Sequence, residues 1–299
     1  MSSQALSTPR PHRSDSGVRA FAASLRSPQH EALQWLRARA RQEVPGECLS
    51  FRCGSQVLGY LLPTHGAQLA AVLKNAVMEP HSLVWNAQNA NAAECGAALQ
   101  AALLTLREQG LVKGWRNEDF SFYPDPEIGP APAQAAFFRL ERAGFRYLGM
   151  MSHAVHINGF TSDGRMWCGQ RSASKATDPG LWDNMTAGGL SAGESLESCA
   201  LRELWEEAGL SPVEPEQLRS AGRIRISRIT PTGWHDEMLH VYNLQVPDHF
   251  VPHNQDGEVQ AFECLSGAEV LAGIAGGHWT HDAALALAQG VLSHSDVCK

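Results

Sequence analysis

Residues Gly188–Leu210 read GGLSAGESLESCALRELWEEAGL, and this stretch decides the fold. Its glycine-containing start predicts a loop, and the run from Leu196 predicts a short helix. Glu203, Glu206 and Glu207 stand at i, i+3 and i+4, so three carboxylates project from one side. At ~100° per residue, Glu203 and Glu207 continue the line begun by Leu196 and Ala200. A helix built only for packing would carry Leu or Ile there. A solvated helix would place Lys or Arg four residues after each Glu, where this chain has Glu207, Leu210 and Ser211. Like charges this close are costly unless a cation lies among them. A divalent metal held by hard oxygen ligands is the simplest resolution, and an exposed acidic helix is the bland alternative.

The rest of the chain bounds the possibilities. At 299 residues and 43% hydrophobic, it is long enough for one large domain or two ordinary ones, with a proper core. A net charge of −7 weighs against nucleic acid or an anionic membrane as the main partner. An anionic substrate remains compatible, because bound metal reverses the sign locally. Seven cysteines, odd in number and irregularly spaced with no CxxC, read as reduced, structural thiols of an intracellular, cytoplasmic protein. No apolar run reaches the ~18 residues that span a bilayer.

In chain order, residues 1–27 are Ser- and Arg-rich with a single acid, Asp15. A flexible tail is expected there, and an organelle transit peptide is also compatible with the composition. Residues 28–145 read as a small α+β N-terminal domain. It has helices over Glu31–Arg41, Gln68–Val77, Ala92–Gln109 and Gln134–Ala143 (closed by Gly144), strand formers over Leu49–Leu62, and a strand over Trp115–Tyr123. Pro124-Asp125-Pro126 and Gly129-Pro130-Ala131-Pro132 mark a turn-rich stretch between them. Residues 146–299 form the second domain. Strands are expected at Tyr147–Phe160, Met166–Gln170, Gly222–Thr230, Glu237–Val246 and Val259–Leu265, with a closing helix at His281–Leu292.

The acidic helix and its loop fit one pattern at every specified position. Gly188 is followed after five residues by Glu194. Seven residues later come Arg202-Glu203-Leu204, then Glu206-Glu207 and Gly209-Leu210. This resembles the signature of the Nudix hydrolases, G-x5-E-x7-R-E-U-x-E-E-x-G-U, with U aliphatic. The resemblance continues upstream through His156-Ile-Asn-Gly-Phe160, Met166–Ser172, Lys175 and Pro179–Asn184. There it is similar to a subgroup with an extra N-terminal domain, comprising plant plastid proteins and the Nudix half of fungal thiamine pyrophosphokinase fusions.

The resemblance implies a Nudix α/β/α sandwich with a mixed sheet, preceded by the small α+β domain. It implies a divalent cofactor, Mg²⁺ or else Mn²⁺, held by Glu203, Glu206 and Glu207 with a carbonyl from Gly188. Arg202 would hold the carboxylates in place, and Glu194 would pair with it. Glu258, in the loop before the last strand, would join them as a catalytic residue, with Glu203 or Glu258 as general base. Arg171 and Lys175 are candidates to meet a diphosphate, with surface charge as the alternative. Trp182 and Trp234 are candidates to stack on an organic ring, against an ordinary core role. Asp236 and Glu237 are candidates to contribute to metal or substrate, with a solvated loop as the simpler reading. His153 and His156 point to opposite faces of a strand and make a poor metal pair.

The implied reaction is hydrolysis of thiamine diphosphate analogues, such as oxythiamine or oxothiamine diphosphate, to the monophosphate plus phosphate. The implied partner is thus a small-molecule diphosphate, with no nucleic acid or membrane, and a homodimer is left open. ADP-ribose or another nucleoside diphosphate derivative is the rival substrate, because the motif reads only the diphosphate. An isopentenyl diphosphate isomerase would need a reactive cysteine within Asp183–Gly188, which reads Asp-Asn-Met-Thr-Ala-Gly. A non-catalytic Nudix binding module would be expected to lose a glutamate, and none is lost.

Overall fold

The computed structural model describes residues 15–87, 90–125, 129–130, 136–175 and 177–296. The elements run α1 (Ser16–Ser24), α2 (Ser27–Ala38), β1 (Leu49–Cys53), β2 (Gln56–Leu61), α3 (Pro63–Val72), β3 (Ala76–Glu79), β4 (Ser82–Trp85), α4 (Ala92–Glu108), β5 (Asp119–Phe122), β6 (Phe138–Glu141) and α5 (Arg142–Leu148). They continue with β7 (Ser152–Phe160), β8 (Met166–Arg171), β9 (Trp182–Asp183), β10 (Thr186–Gly189), α6 (Leu196–Ala208), β11 (Arg219–Thr230), β12 (Gly233–Gln245), β13 (Val259–Leu265), α7 (Gly267–Ala275) and α8 (His281–Asp296).

A seven-stranded mixed sheet forms the centre, in the order β11-β12-β7-β8-β13, with β10 pairing β7 and β9 pairing β8. Only β12 and β7 run parallel within it. Every residue of β7 is buried, as a strand covered on both faces requires. On one face Val155 and Ile157 pack under Cys199, Ala200 and Leu204 of α6. On the other, Phe160 packs with Ala283, Leu287 and Val291 of α8. This is the expected α/β/α sandwich. A separate four-stranded sheet, β2-β1-β4-β3, carries α3, α4, α5 and the β5–β6 hairpin around its own apolar cluster.

Several expectations change on contact with the structure. Within the stretch expected to be a flexible tail, residues 1–14 lie outside the described residues, but Ser16–Ser24 is a helix. Val18, Phe21 and Leu25 repeat at near-helical spacing and are buried against Phe160, Trp279 and Val291. The Ser and Arg content masks that apolar stripe. Helix α2 packs by Leu33 into the same cluster, not against the N-terminal sheet. The chain then pairs with the outer strand of the central sheet: Gln42 N–H donates to Ser227 O at 2.8 Å. So residues 15–42 belong structurally with the C-terminal sandwich.

The helix expected over Gln68–Val77 starts earlier, at Pro63, a residue suited to a first helical position. It ends at Val72, where Leu73 turns to extended backbone, and after Asn75 at φ 61° the chain becomes β3 over Ala76–Glu79. The helix expected over Gln134–Ala143 is corrected too. Its first two residues lie outside the described residues, and Phe138–Glu141 is a strand in which Phe138 and Leu140 face inward while Arg139 faces out. Helix α5 follows and closes at Gly149, φ 59°, rather than at Gly144. Gly144 sits inside the helix because Leu103 presses on it where a Cβ would lie. Tyr147–Leu148 thus finish a helix, and β7 begins only at Ser152. Part of the expected Pro-rich turns falls on residues 126–128 and 131–135, outside the described residues. The six described cysteines are free thiols. Among the described residues, no helix is long and apolar enough to cross a membrane.

Because Phe21 is fully buried, with its ring 5.1 Å from that of Phe160, Phe21→Ala is expected to destabilise the protein by ~3–5 kcal/mol. Urea unfolding of the full chain measures this. A change near zero would show that α1 is no part of the cooperative core.

Candidate active site

The loop and helix of the acidic stretch are fixed from three sides. Gly188 and Gly189 end β10, hydrogen-bonded along β7. The Gly188 position admits no side chain, because a Cβ would overlap the Glu203 carboxylate. The Gly189 position is closed by the ring of Phe120 from β5. Ser195 caps α6, its hydroxyl accepting from Ser198 N–H at 3.0 Å. Gly209 ends the helix with φ 66°, the left-handed conformation in which glycine carries no steric penalty.

Arg202 gathers the carboxylates. Its Nε and Nη2 donate to the two Glu194 oxygens at 2.8 and 3.0 Å, a bidentate fork. Its Nη1 donates to Glu203 Oε1 at 2.6 Å and Glu206 Oε2 at 3.1 Å. Its Nη2 also reaches Gly189 O at 3.3 Å, tying the helix to the loop. Hydrogen bonding to Glu194 keeps the guanidinium firmly charged.

Glu203 and Glu207 lie on the buried side of α6, whereas Glu206 is partly exposed. Burial raises the Glu203 pKa despite the opposing pull of Arg202. Burial, and then the neighbouring Glu203, push Glu207 up to about 8. Glu207 accepts a hydrogen bond from Ala187 N–H at 2.9 Å. Two carboxylates therefore face each other in a dry place with too little positive charge beside them.

Next to them lies a small pocket lined by Arg171, Lys175, Asp183, Asn184, Glu207 and Glu258. Lys175 forms an ion pair with Glu258, and burial lowers its pKa. Arg171 spends its guanidinium on Thr177 O, at 3.1 and 2.9 Å, and on Asp183 Oδ2 at 3.3 Å. It thus lines the pocket while bracing the loop over it.

The structure brings Glu203 and Glu206 together on Arg202, with Gly188 against Glu203, and sets Arg171, Lys175 and Glu258 with Glu207 at the pocket. It leaves Trp182 apart. Trp182 is bonded through its backbone to His278 O and Thr280 N–H and packs on the core with Trp279. Trp234 is buried with its ring edge-on to Tyr60. Both follow the ordinary core reading. His153 and His156 do face opposite ways: His153 meets His240 at 3.1 Å, and His156 meets Asn184 at 2.7 Å.

Sequence reasoning missed the residues that hold the loop from the N-terminal side. Ala192 N–H donates to Asp119 O at 2.7 Å, and Ser191 donates to Glu118 at 2.7 Å. Nothing in the local pattern of Glu118–Phe120 marks this role, because the partners are more than seventy residues away. Asp183 and Asn184 were within reach, as polar residues immediately before the glycine loop.

Comparison with known proteins finds Nudix relatives. A model of the NUDIX domain matches residues 152–286. The chain is 36% identical over 176 residues to Nudix hydrolase 20, chloroplastic, of Arabidopsis thaliana, covering 58% of this chain and 46% of that protein. Nudix hydrolase 24, chloroplastic, of the same plant is also 36% identical over 176 residues, with 47% of its length covered. An isopentenyl-diphosphate Delta-isomerase of Leifsonia xyli is 30% identical over 130 residues, 43% of this chain and 68% of that one. The chain spans about half the length of the two plant relatives.

The raised Glu207 pKa has a consequence for stability in protein stripped of divalent ions by a chelator. Between the ordinary 4.5 and about 8, the folded state holds a proton that the unfolded chain has released. Its unfolding free energy therefore falls as pH rises through that window. Glu207→Gln removes the ionisation and is expected to flatten this slope in denaturant titrations from acid to mildly alkaline pH. Identical profiles for variant and parent would refute it.

Proposed function

We propose that this chain, which belongs to the Nudix family, is a metal-dependent hydrolase that cleaves a diphosphate. The observation that carries the reading is the convergence of Glu203 and Glu206 on Arg202, with Glu207 one turn on from Glu203 in a pocket that also contains Lys175 and Glu258. The donor set fits a hard divalent cation such as Mg²⁺ or Mn²⁺. Glu203 and Glu207 are buried carboxylates, of which only Glu203 is paired with Arg202, and the Gly188 backbone lies against the Glu203 carboxylate. When bound, such a cation supplies charge to the phosphate oxygens and acidity to a water molecule.

The remaining work falls to side chains of this chain. Arg202 fixes the carboxylates in one geometry, so that no reorganisation is needed during the reaction. Lys175 lies at the pocket to meet a phosphate oxygen, releasing Glu258 as it does so. Glu258 accepts the proton of the attacking water. Glu203 is less suited, because it is buried and held by Arg202, whereas Glu258 is partly exposed at the pocket.

For the organic group, the reading is a damaged thiamine diphosphate, cleaved to the monophosphate and phosphate. The similarity of the His156–Asn184 stretch to the plant plastid subgroup supports it. Trp182 is withdrawn from the substrate role, since it belongs to the core. Isomerisation is disfavoured by the absence of a thiol from Asp183–Gly188. Cys199 lies behind the loop, donates to Gly189 O at 3.5 Å, and is kept protonated by burial.

Phosphate release with Mg²⁺ is to be measured on oxythiamine, oxothiamine and thiamine diphosphates, ADP-ribose and NADH. Highest kcat/KM is expected on the damaged thiamine diphosphates, and preference for ADP-ribose would replace that substrate while keeping the chemistry. Glu206→Gln is expected to lower kcat/KM by at least about 100-fold. Glu258→Gln is expected to lower kcat by ~10²–10⁴-fold. A folded Glu206→Gln protein with full turnover would refute the metal site.

A further inference from the structure

A second cluster of metal-type ligands lies apart from the pocket. His235 and Glu237 are two residues apart on β12, so their side chains leave the same face of the sheet. That face is covered by α8, whose first turn carries Asp282. One ligand atom from each of the three lies within 4.8 Å of those of the other two.

The cluster is oriented like a built site. Glu237 Oε1 accepts from Ser152 Oγ at 2.7 Å, which leaves Oε2 turned to His235 Nε2 at 3.7 Å. Asp282 Oδ1 faces Arg228 Nη2 at 3.4 Å, which leaves Oδ2 turned to the same Nε2 at 3.4 Å. His235 is only 8% exposed, and its Nε2 is buried without a hydrogen bond. So each carboxylate has one oxygen held from outside, and its other oxygen converges on a buried, unpartnered imidazole nitrogen. Atoms each ~2.1 Å from one ion lie at most about 4.2 Å apart, and both measured separations fall inside that limit.

We infer that His235, Glu237 and Asp282 form a binding site for a transition-type divalent ion, Zn²⁺ or Mn²⁺, distinct from the glutamate site of α6. One imidazole nitrogen with two carboxylates suits these ions better than Mg²⁺ or Ca²⁺, which prefer all-oxygen cages. Ser152 and Arg228 act as the outer partners that orient the ligands. The ion joins β12 to the first turn of α8, and through Ser152 to β7. The rival occupant of the centre is a proton on His235, which would make a closed ion-pair triad with no metal affinity. This inference does not depend on the hydrolase reading, because the three residues lie outside the pocket lining.

Co²⁺ titration of chelator-treated full-length protein distinguishes the two. Co²⁺ in a low-coordinate site with a nitrogen ligand gives strong visible d–d absorption, whereas a hydrated all-oxygen glutamate site gives weak bands. The expected result is a strong band in the parent and in Glu207→Gln, displaced by Zn²⁺. In His235→Asn and Glu237→Gln the band is expected to vanish, and in Ser152→Ala its apparent affinity to fall about tenfold. No strong band in the parent protein would overturn the site in favour of the protonated triad. A band lost in Glu207→Gln and kept in folded Glu237→Gln would assign the ion to α6 instead.

Discussion

The Arg202 guanidinium is the interaction on which the site depends. One side chain binds Glu194, Glu203, Glu206 and the Gly189 carbonyl together. Without it, α6 and the loop before it would present four carboxylates in a small, partly dry volume with no guanidinium to hold them together. With it, Glu194, Glu203 and Glu206 are held in a fixed array. A lysine would not serve, because a point charge cannot hold two separate carboxylates by a planar fork. The arrangement still leaves Glu207 short of positive charge, and that shortage is what a bound cation would relieve.

Holding the array in place requires a rigid loop, and the N-terminal unit supplies part of the rigidity. Phe120 lies where a Gly189 side chain would be, Asp119 O takes the Ala192 N–H, and Glu118 receives Ser191 while paired to Arg142. The loop is therefore bonded to β7 on one side and to the β5 region on the other. This gives the N-terminal unit a physical task at the site. Its hairpin braces the segment that places the Gly188 carbonyl, so weakening that contact would loosen the site without touching a carboxylate.

The site was legible in the sequence where its geometry is local. The spacing of Glu203, Glu206 and Glu207, the Arg202 to Glu206 step, and the glycines at 188 and 209 all lie within 23 residues, and helix geometry alone aligns them. Strands β8, β11, β12 and β13 were legible for the same reason, as was α4. What failed was non-local or mixed in signal. The apolar stripe of α1 is diluted by Ser and Arg, and its partners lie on β7, on α8 and at Trp279, more than 130 residues away. Phe138–Glu141 has strand alternation too short to outweigh neighbouring helix formers. Trp182 looked free because nothing in sequence shows that β9 is bonded to the segment at His278–Thr280. Glu237 read as a loop acid until β12 proved to begin at Gly233 and to place it beside His235.

A buried polar column joins these parts. His156 meets Asn184, Asn184 donates to Asn158 Oδ1 at 2.7 Å, and Asn158 donates to Asn243 Oδ1 at 3.0 Å. Asn184 also reaches Ala283 O of α8, and Asn243 donates to Gly290 O at 2.9 Å. Such groups are costly to bury alone, but here each finds a partner of defined direction. An apolar layer would tolerate slippage between β7, β12 and α8. Paired amides do not, since a one-residue shift would leave several of them unmatched at about 1–3 kcal/mol each. The column therefore fixes the register that sets Asn184 and Asp183 at the pocket on one side of the sheet and Asp282 opposite Glu237 at the start of α8. The same constraint thus positions the candidate active site and the second cluster of ligands.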